Sequence, residues 1–181
     1  MDIFYITRLL LSPAQQEELA QSLALLKAED WAGFYQRESG AAEQILFIQT
    51  AEEWLDFCAQ QSLDWECFCF AFLCQKGKAL QIGGYQQDIF PKLRAFLARL
   101  GRDTPEIRQW LDQERIDAGC GEPRPFLQAI GRLLSAQGVG LALWEDGLYC
   151  DCQYTLALLD GKAAKQAADG WRSENFELLL P

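Results

Sequence analysis

The stretch Leu63–Tyr85, LDWECFCFAFLCQKGKALQIGGY, restricts the fold more than any other part of the chain. It is the most apolar run in the sequence and holds three of its seven cysteines. From Trp65 onward both alternating sets are apolar: Trp65, Cys67, Cys69, Ala71 and Leu73 on one side, Phe68, Phe70, Phe72 and Cys74 on the other. A strand covered on both faces has this pattern. A buried helix has it too, because a short apolar run does not settle its own period. The aromatic content and the turn-like Gln75-Lys76-Gly77-Lys78 favour a hairpin that returns along Ala79 to Ile82 and ends at Gly83-Gly84. A first hairpin is therefore expected over about 65–83.

Upstream, Ile3 to Leu11 reads as a short strand. Ser12-Pro13-Ala14-Gln15 has the form of an N-cap, a proline at the first helical position and a glutamine three residues after the cap. Leu19, Leu23 and Leu26 follow at helical spacing, so a helix is expected from Pro13 to Lys27. Asp30 caps a second, short helix carrying Trp31, Phe34 and Tyr35, and Ser39-Gly40 breaks it. Residues 44–49, QILFIQ, read as a strand that runs into the capping box Thr50-Ala51-Glu52-Glu53 and a further helix ending near Gln61.

Downstream, three helices are expected. One begins at Asp88 and ends at Gly101, one begins at Asp103-Thr104-Pro105-Glu106, and one runs from about Pro125 to Gly138. Val139–Trp144, the turn signal Asp146-Gly147 and Leu148–Leu159 then form a second hairpin over about 139–159. A short helix over Lys162–Ala168 and an edge strand in the tail ENFELLLP complete the chain. The element order is mixed and no long linker or internal repeat is visible. The expectation is a single globular α+β domain over 1–181, a mainly antiparallel sheet of two hairpins plus the strand near 44–49, packed against about five helices.

Composition narrows the function classes. The 181 residues carry a net charge of −10, and the charge is uneven. Residues 1–66 hold 12 acidic and 3 basic side chains, whereas residues 67–181 hold 14 acidic and 13 basic. A nucleic-acid backbone requires a basic footprint, so nucleic acid is not an expected partner. The basic residues of the middle helices, from Lys92 to Arg132, are interleaved with acids and read as solvated helix faces. No apolar run reaches the roughly 18 to 20 residues of a membrane span, and Asp2 stands where a signal peptide carries basic residues. Seven irregularly spaced cysteines fit reduced thiols. These points give a cytoplasmic, non-membrane expectation. Histidine is absent altogether, which removes Ser-His and Cys-His nucleophile pairs and every histidine metal ligand.

Four constellations remain. Cys67, Cys69, Cys150 and Cys152 form two Cys-x-Cys units, which on paired strands could converge on zinc; small buried core residues are the plainer reading. Glu145, Asp146 and Asp151, with Asp160, offer carboxylates for acid–base work or a hard cation, although Asp146 is accounted for by its turn. Gly83-Gly84 before a helix lacks both a G-x-G-x-x-G pattern and a Walker lysine, and reads as a plain turn. The fourth is acidic and aromatic: Glu29, Asp30, Trp31, Phe34, Tyr35 and Glu38, with Glu52 and Glu53 nearby. Aromatic side chains ringed by charge are the composition of a protein–protein hot spot.

The expected function is thus a non-enzymatic, cofactor-free binding domain that docks a basic protein, by analogy of charge and size with bacterial acidic inhibitor or immunity proteins. A cysteine- or carboxylate-dependent enzyme or zinc-binding protein is the alternative, and a structural subunit of an oligomer a second one.

Overall fold

The computed structural model describes residues 4–46, 50–60, 65–82, 89–117, 123–146, 153–168 and 176–179. They form an α+β protein whose contacts divide into two compact units, Asp2–Lys78 and Ala79–Pro181.

The first unit is helical. Its elements are α1 (Phe4–Leu10), α2 (Pro13–Lys27), α3 (Trp31–Leu46), α4 (Ala51–Gln60) and α5 (Trp65–Gln75). α5 lies at its centre and packs against α1, α2 and α3. Six consecutive side chains of α5, Phe68 to Leu73, are each at most 4% exposed. At about 100° per residue these six point in every direction around the axis, so the helix is enclosed on all sides. Phe68 meets the Phe34 ring edge-on at 4.8 Å and the Phe72 ring at 6.1 Å.

The helices of this unit correct several expectations. Residues 65–75 are helical, not the first arm of a hairpin. A helix buried all round shows no apolar stripe, and its sequence is indistinguishable from that of a strand buried on both faces. The Gln75-Lys76-Gly77-Lys78 signal marks the end of that helix. The Lys78 N–H donates to the Leu73 carbonyl at 2.8 Å and the Gly77 N–H to that of Cys74 at 2.9 Å. With Gly77 at φ 69°, this is a left-handed Schellman ending. Phe4–Leu10 is likewise a helix rather than a strand. Gln44–Leu46 ends α3 rather than starting a strand, and residues 47–49 lie outside the described part. α3 also passes through Ser39-Gly40; it is kinked at Glu38 (φ −122°, ψ 32°) but not broken there.

Local signals elsewhere match the structure. Ser12 and Gln15 make the reciprocal capping box of α2, with Pro13 at its start. Thr50 and Glu53 do the same for α4, through bonds of 3.2 and 3.3 Å.

The second unit contains β1 (Ala79–Ile82), α6 (Ile89–Arg99), α7 (Pro105–Asp117), α8 (Pro123–Ser135), β2 (Val139–Asp146), β3 (Gln153–Asp160), α9 (Gly161–Ala168) and β4 (Phe176–Leu179). The strands form one antiparallel sheet in the order β1-β3-β2-β4. β1 pairs with β3, so its partner is a strand some 75 residues later in the chain and not the segment before it. β2 and β3 pair from Val139↔Asp160 to Asp146↔Gln153, and residues 147–152 between them lie outside the described part.

Register assigns the faces, because side chains alternate along a strand. Val139, Leu141, Leu143, Leu156 and Ile82 join the buried residues of α6, α7 and α8 in one apolar cluster. The alternate positions Gly140, Ala142, Ala157 and Leu159 are also buried. α9 packs on β2 and β3, with Ala164 and Ala167 fully enclosed. Asp160 starts α9 by accepting from the Lys162 and Ala163 N–H groups at 3.0 and 2.8 Å.

The enclosure of α5 has a measurable consequence. Phe68→Ala should cost about 3–5 kcal/mol, the range for removing a ring from a packed core. Gly77→Ala should cost only about 1 kcal/mol, from its left-handed backbone alone. Urea denaturation of the two variants measures this ordering.

Candidate functional site

The acidic-aromatic constellation is built on the joint between α2 and α3. α2 ends with the Glu29 N–H donating to the Leu26 carbonyl at 3.1 Å and the Asp30 N–H to that of Leu25 at 3.0 Å. Glu29 therefore occupies the left-handed position that ends a helix, with φ 55°; it is the sole non-glycine with positive φ among the described residues. Glycine takes this conformation without the Cβ clash that a glutamate meets. One residue later Asp30 caps α3, its Oδ1 accepting from the Gly33 N–H at 3.0 Å. A Cβ at Gly33 would run into the Asp30 carboxylate, which would have to shift to admit it.

α4 closes onto this joint. Trp54, fully buried, donates its Nε1–H to the Trp31 carbonyl at 2.9 Å. Its ring stacks on Phe34 at 5.3 Å and lies 6.2 Å from Tyr35. Trp54 thereby holds the first turns of α3 and α4 together. Around it Glu29, Asp30, Glu52 and Glu53 are exposed, and Trp31 and Tyr35 are half-buried. Asp30, Glu52 and Glu53 all stand at helix N-termini, where the macrodipole favours negative charge.

Two residues expected in this patch lie inside. Phe34 is 1% exposed and Glu38 8%. The Glu38 carboxylate accepts from the Ser22 hydroxyl at 2.5 Å, and Ser22 Oγ accepts from Arg37 Nε at 2.9 Å. Arg37 also reaches Gln21 at 2.9 Å and stands 3.5 Å from the Glu38 carboxylate. A buried carboxylate needs such partners to remain charged. Ser22, fully buried, and Arg37 are the members of this network that sequence reasoning did not single out. Their signal was present: Ser22 lies on the Leu19–Leu26 stripe, where a polar side chain requires a buried partner.

Arg37 is thus tied internally, and Lys76 pairs with Glu18 while lying 5.0 Å over the Phe72 ring. The Asp2–Lys78 unit carries 12 acidic side chains against 5 basic ones. Two of those five are paired with carboxylates of the same unit, which leaves its net charge at −7.

The other constellations are less visible. Cys69 is buried and without a disulfide. The Cys67 side chain, Cys150 and Cys152 lie outside the described part, as do Gly83-Gly84, Asp151 and the side chains of Glu145 and Asp146. Asp160 is the cap of α9. Among the described residues no group of three or more His, Cys, Asp or Glu side chains is placed to hold a metal ion, and no helix is long and apolar enough to cross a membrane.

No family model, curated protein or solved structure matches the chain. The functional reading therefore rests on the chemistry of these residues alone.

The network predicts two stability effects. Ser22→Ala removes the hydroxyl between Arg37 and Glu38 and should cost about 1–3 kcal/mol, the range for leaving buried polar groups unsatisfied. Trp54→Phe loses the bond to the Trp31 carbonyl and leaves a void in a fully buried site, and should cost about 2–4 kcal/mol. Chemical denaturation measures both.

Proposed function

We propose that the chain is a non-enzymatic protein-binding domain whose acidic helical unit docks a basic protein, in the manner of acidic inhibitor or immunity proteins. The observation that carries this reading is Glu29. An exposed glutamate occupies a left-handed helix ending where glycine would be cheaper. Backbone strain of this kind concentrates at functional positions. The exposed Glu29 side chain adds negative charge to the joint.

The surroundings support the same reading. Exposed Asp30, Glu52 and Glu53 extend the negative surface, and half-buried Trp31 and Tyr35 supply anchors of the type enriched in interface hot spots. Phe34, Glu38 and Trp54 support that surface from beneath. A patch of one sign steers an oppositely charged partner and raises its rate of encounter. Such a patch repels nucleic acid and anionic membranes.

Glu29 and Glu52 are the residues to vary, because Asp30 and Glu53 cap their helices. Glu29→Gly should raise stability by about 0.5–1 kcal/mol, while weakening capture of the partner. The tagged full chain, exposed to lysate at low salt, should retain a basic protein. The association rate of that protein should fall about tenfold or more as salt is raised through the screening range. Double reversal, Glu29→Lys with Glu52→Lys, should abolish retention without unfolding the chain. Capture of no basic protein, or association indifferent to salt and to the double reversal, would count against the reading.

A further inference from the structure

The Ala79–Pro181 unit contains a second surface that the acidic patch does not involve. Between α6 and α7 lies a cleft of about 180 Å³ lined by Phe90, Pro91, Arg94, Leu111 and Asp112. Its inner wall is apolar, from Phe90, Pro91 and Leu111. Behind Phe90 the wall continues as a stack of rings: Phe90 meets Phe126 edge-on at 5.0 Å, and Phe126 stacks on Trp110 at 5.3 Å. All three rings are half-buried, so this aromatic edge is packed on one side and open on the other.

The rim is polar. Arg94 and Asp112 face each other at 3.3 Å, with side chains 47% and 62% exposed. A pair this exposed contributes little to stability and opens at small cost. A guanidinium is a fork of donors that matches a carboxylate, and the Asp112 carboxylate is an acceptor for an ammonium group. The two rim groups together are neutral, so the cleft has no preference for a net anion or cation.

Size restricts the ligand further. The cleft is smaller than the roughly 300–1,000 Å³ of a typical drug or cofactor pocket. It is too small for a nucleotide and of the right order for one apolar side chain with its backbone.

We propose that this cleft binds a free apolar α-amino acid. The carboxylate lies on Arg94, the ammonium on Asp112 and the side chain on Phe90 and Leu111. An amino acid carries both charges on one carbon, so it replaces the Arg94–Asp112 contact with two new ones and leaves neither rim group unpaired. An internal residue of a peptide carries neither charge, and a chain terminus only one. The free zwitterion alone satisfies the whole rim.

The test uses the full chain and ligand-observed NMR titration with L-phenylalanine and L-leucine. Saturable binding is expected. Glycine, which has no side chain for the wall, should bind at least about tenfold more weakly, and so should N-acetyl-L-phenylalaninamide, which has both charges blocked. L-Phenylalaninamide and N-acetyl-L-phenylalanine, each with one charge, should lie between the extremes and thereby separate a free amino acid from a chain terminus. Arg94→Gln and Asp112→Asn alter exposed side chains and should each weaken L-phenylalanine binding about tenfold while leaving the melting temperature of the free protein unchanged. Absence of saturable binding overturns the proposal. Equal binding of the doubly blocked compound, or indifference to both substitutions, also overturns it, since the cleft would then be an apolar depression without zwitterion recognition.

Discussion

The helical unit depends on the enclosure of α5. A helix with side chains buried in every direction cannot lie on a surface; it requires neighbours all around it. α1, α2 and α3 are among those neighbours, and their sequences fit that task. α2 presents Leu19 and Leu26, α3 presents Phe34, and α1 presents Ile6, all nearly fully buried. Phe34 then links α5 to α4, since the same ring meets Phe68 and stacks on Trp54. One aromatic chain, Trp54–Phe34–Phe68–Phe72, thus runs from α4 through α3 into α5. The acidic surface rests on its Trp54 end, so the placement of the carboxylates follows from the packing of the apolar core.

Charge inside the unit is arranged with the same economy. Glu38 is buried at the kink of α3 and is held by Ser22 and Arg37. Lys76, just beyond the end of α5, is held by Glu18 of α2 and by the Phe72 ring. Each pair uses one of the unit's few cations to satisfy an anion at the packed side of a helix. What remains outside is predominantly negative. Each such pair is neutral, so the unit's net charge rests on its remaining carboxylates.

Legibility in the sequence followed the range of the interaction. Signals complete within four residues were readable: the Ser12–Gln15 and Thr50–Glu53 boxes, Asp30 as a cap, and the extent of α2. β2 and the later part of β3 were readable too, as short apolar runs on either side of a turn signal. α5 was not, because enclosure on all sides removes the periodicity that distinguishes helix from strand, and only the tertiary neighbours decide. The pairing of β1 with β3 was hidden for the same reason, as sequence proximity suggested a local hairpin and the sheet chose a distant strand. At the candidate site, Glu38 and Phe34 looked like their exposed neighbours because a charged residue and an aromatic one lie on the same short helix. Their burial is set by α2 and α4, which no local pattern of α3 records. The Arg94–Asp112 cleft was invisible, since its walls come from two helices whose charges, in sequence, read as ordinary solvated faces.

Backbone conformation separates the acids that merely suit the fold from the one that does not. Asp30 accepts from the first turn of α3 and Glu53 from the N–H of the Thr50 cap, so their presence is explained without any partner. Glu52 lies in the first turn of α4, where a negative charge is favoured in any case. Glu29 has no such account. It lies between the C-terminal end of α2 and the N-terminal end of α3, whose dipoles oppose each other there, and in a backbone conformation that disfavours any side chain with a Cβ. A local preference is violated at one exposed residue, close to half-buried Trp31. A position that local physics opposes is the place where an external interaction has the most to explain, and the charge it adds has the same sign as that of the surface around it.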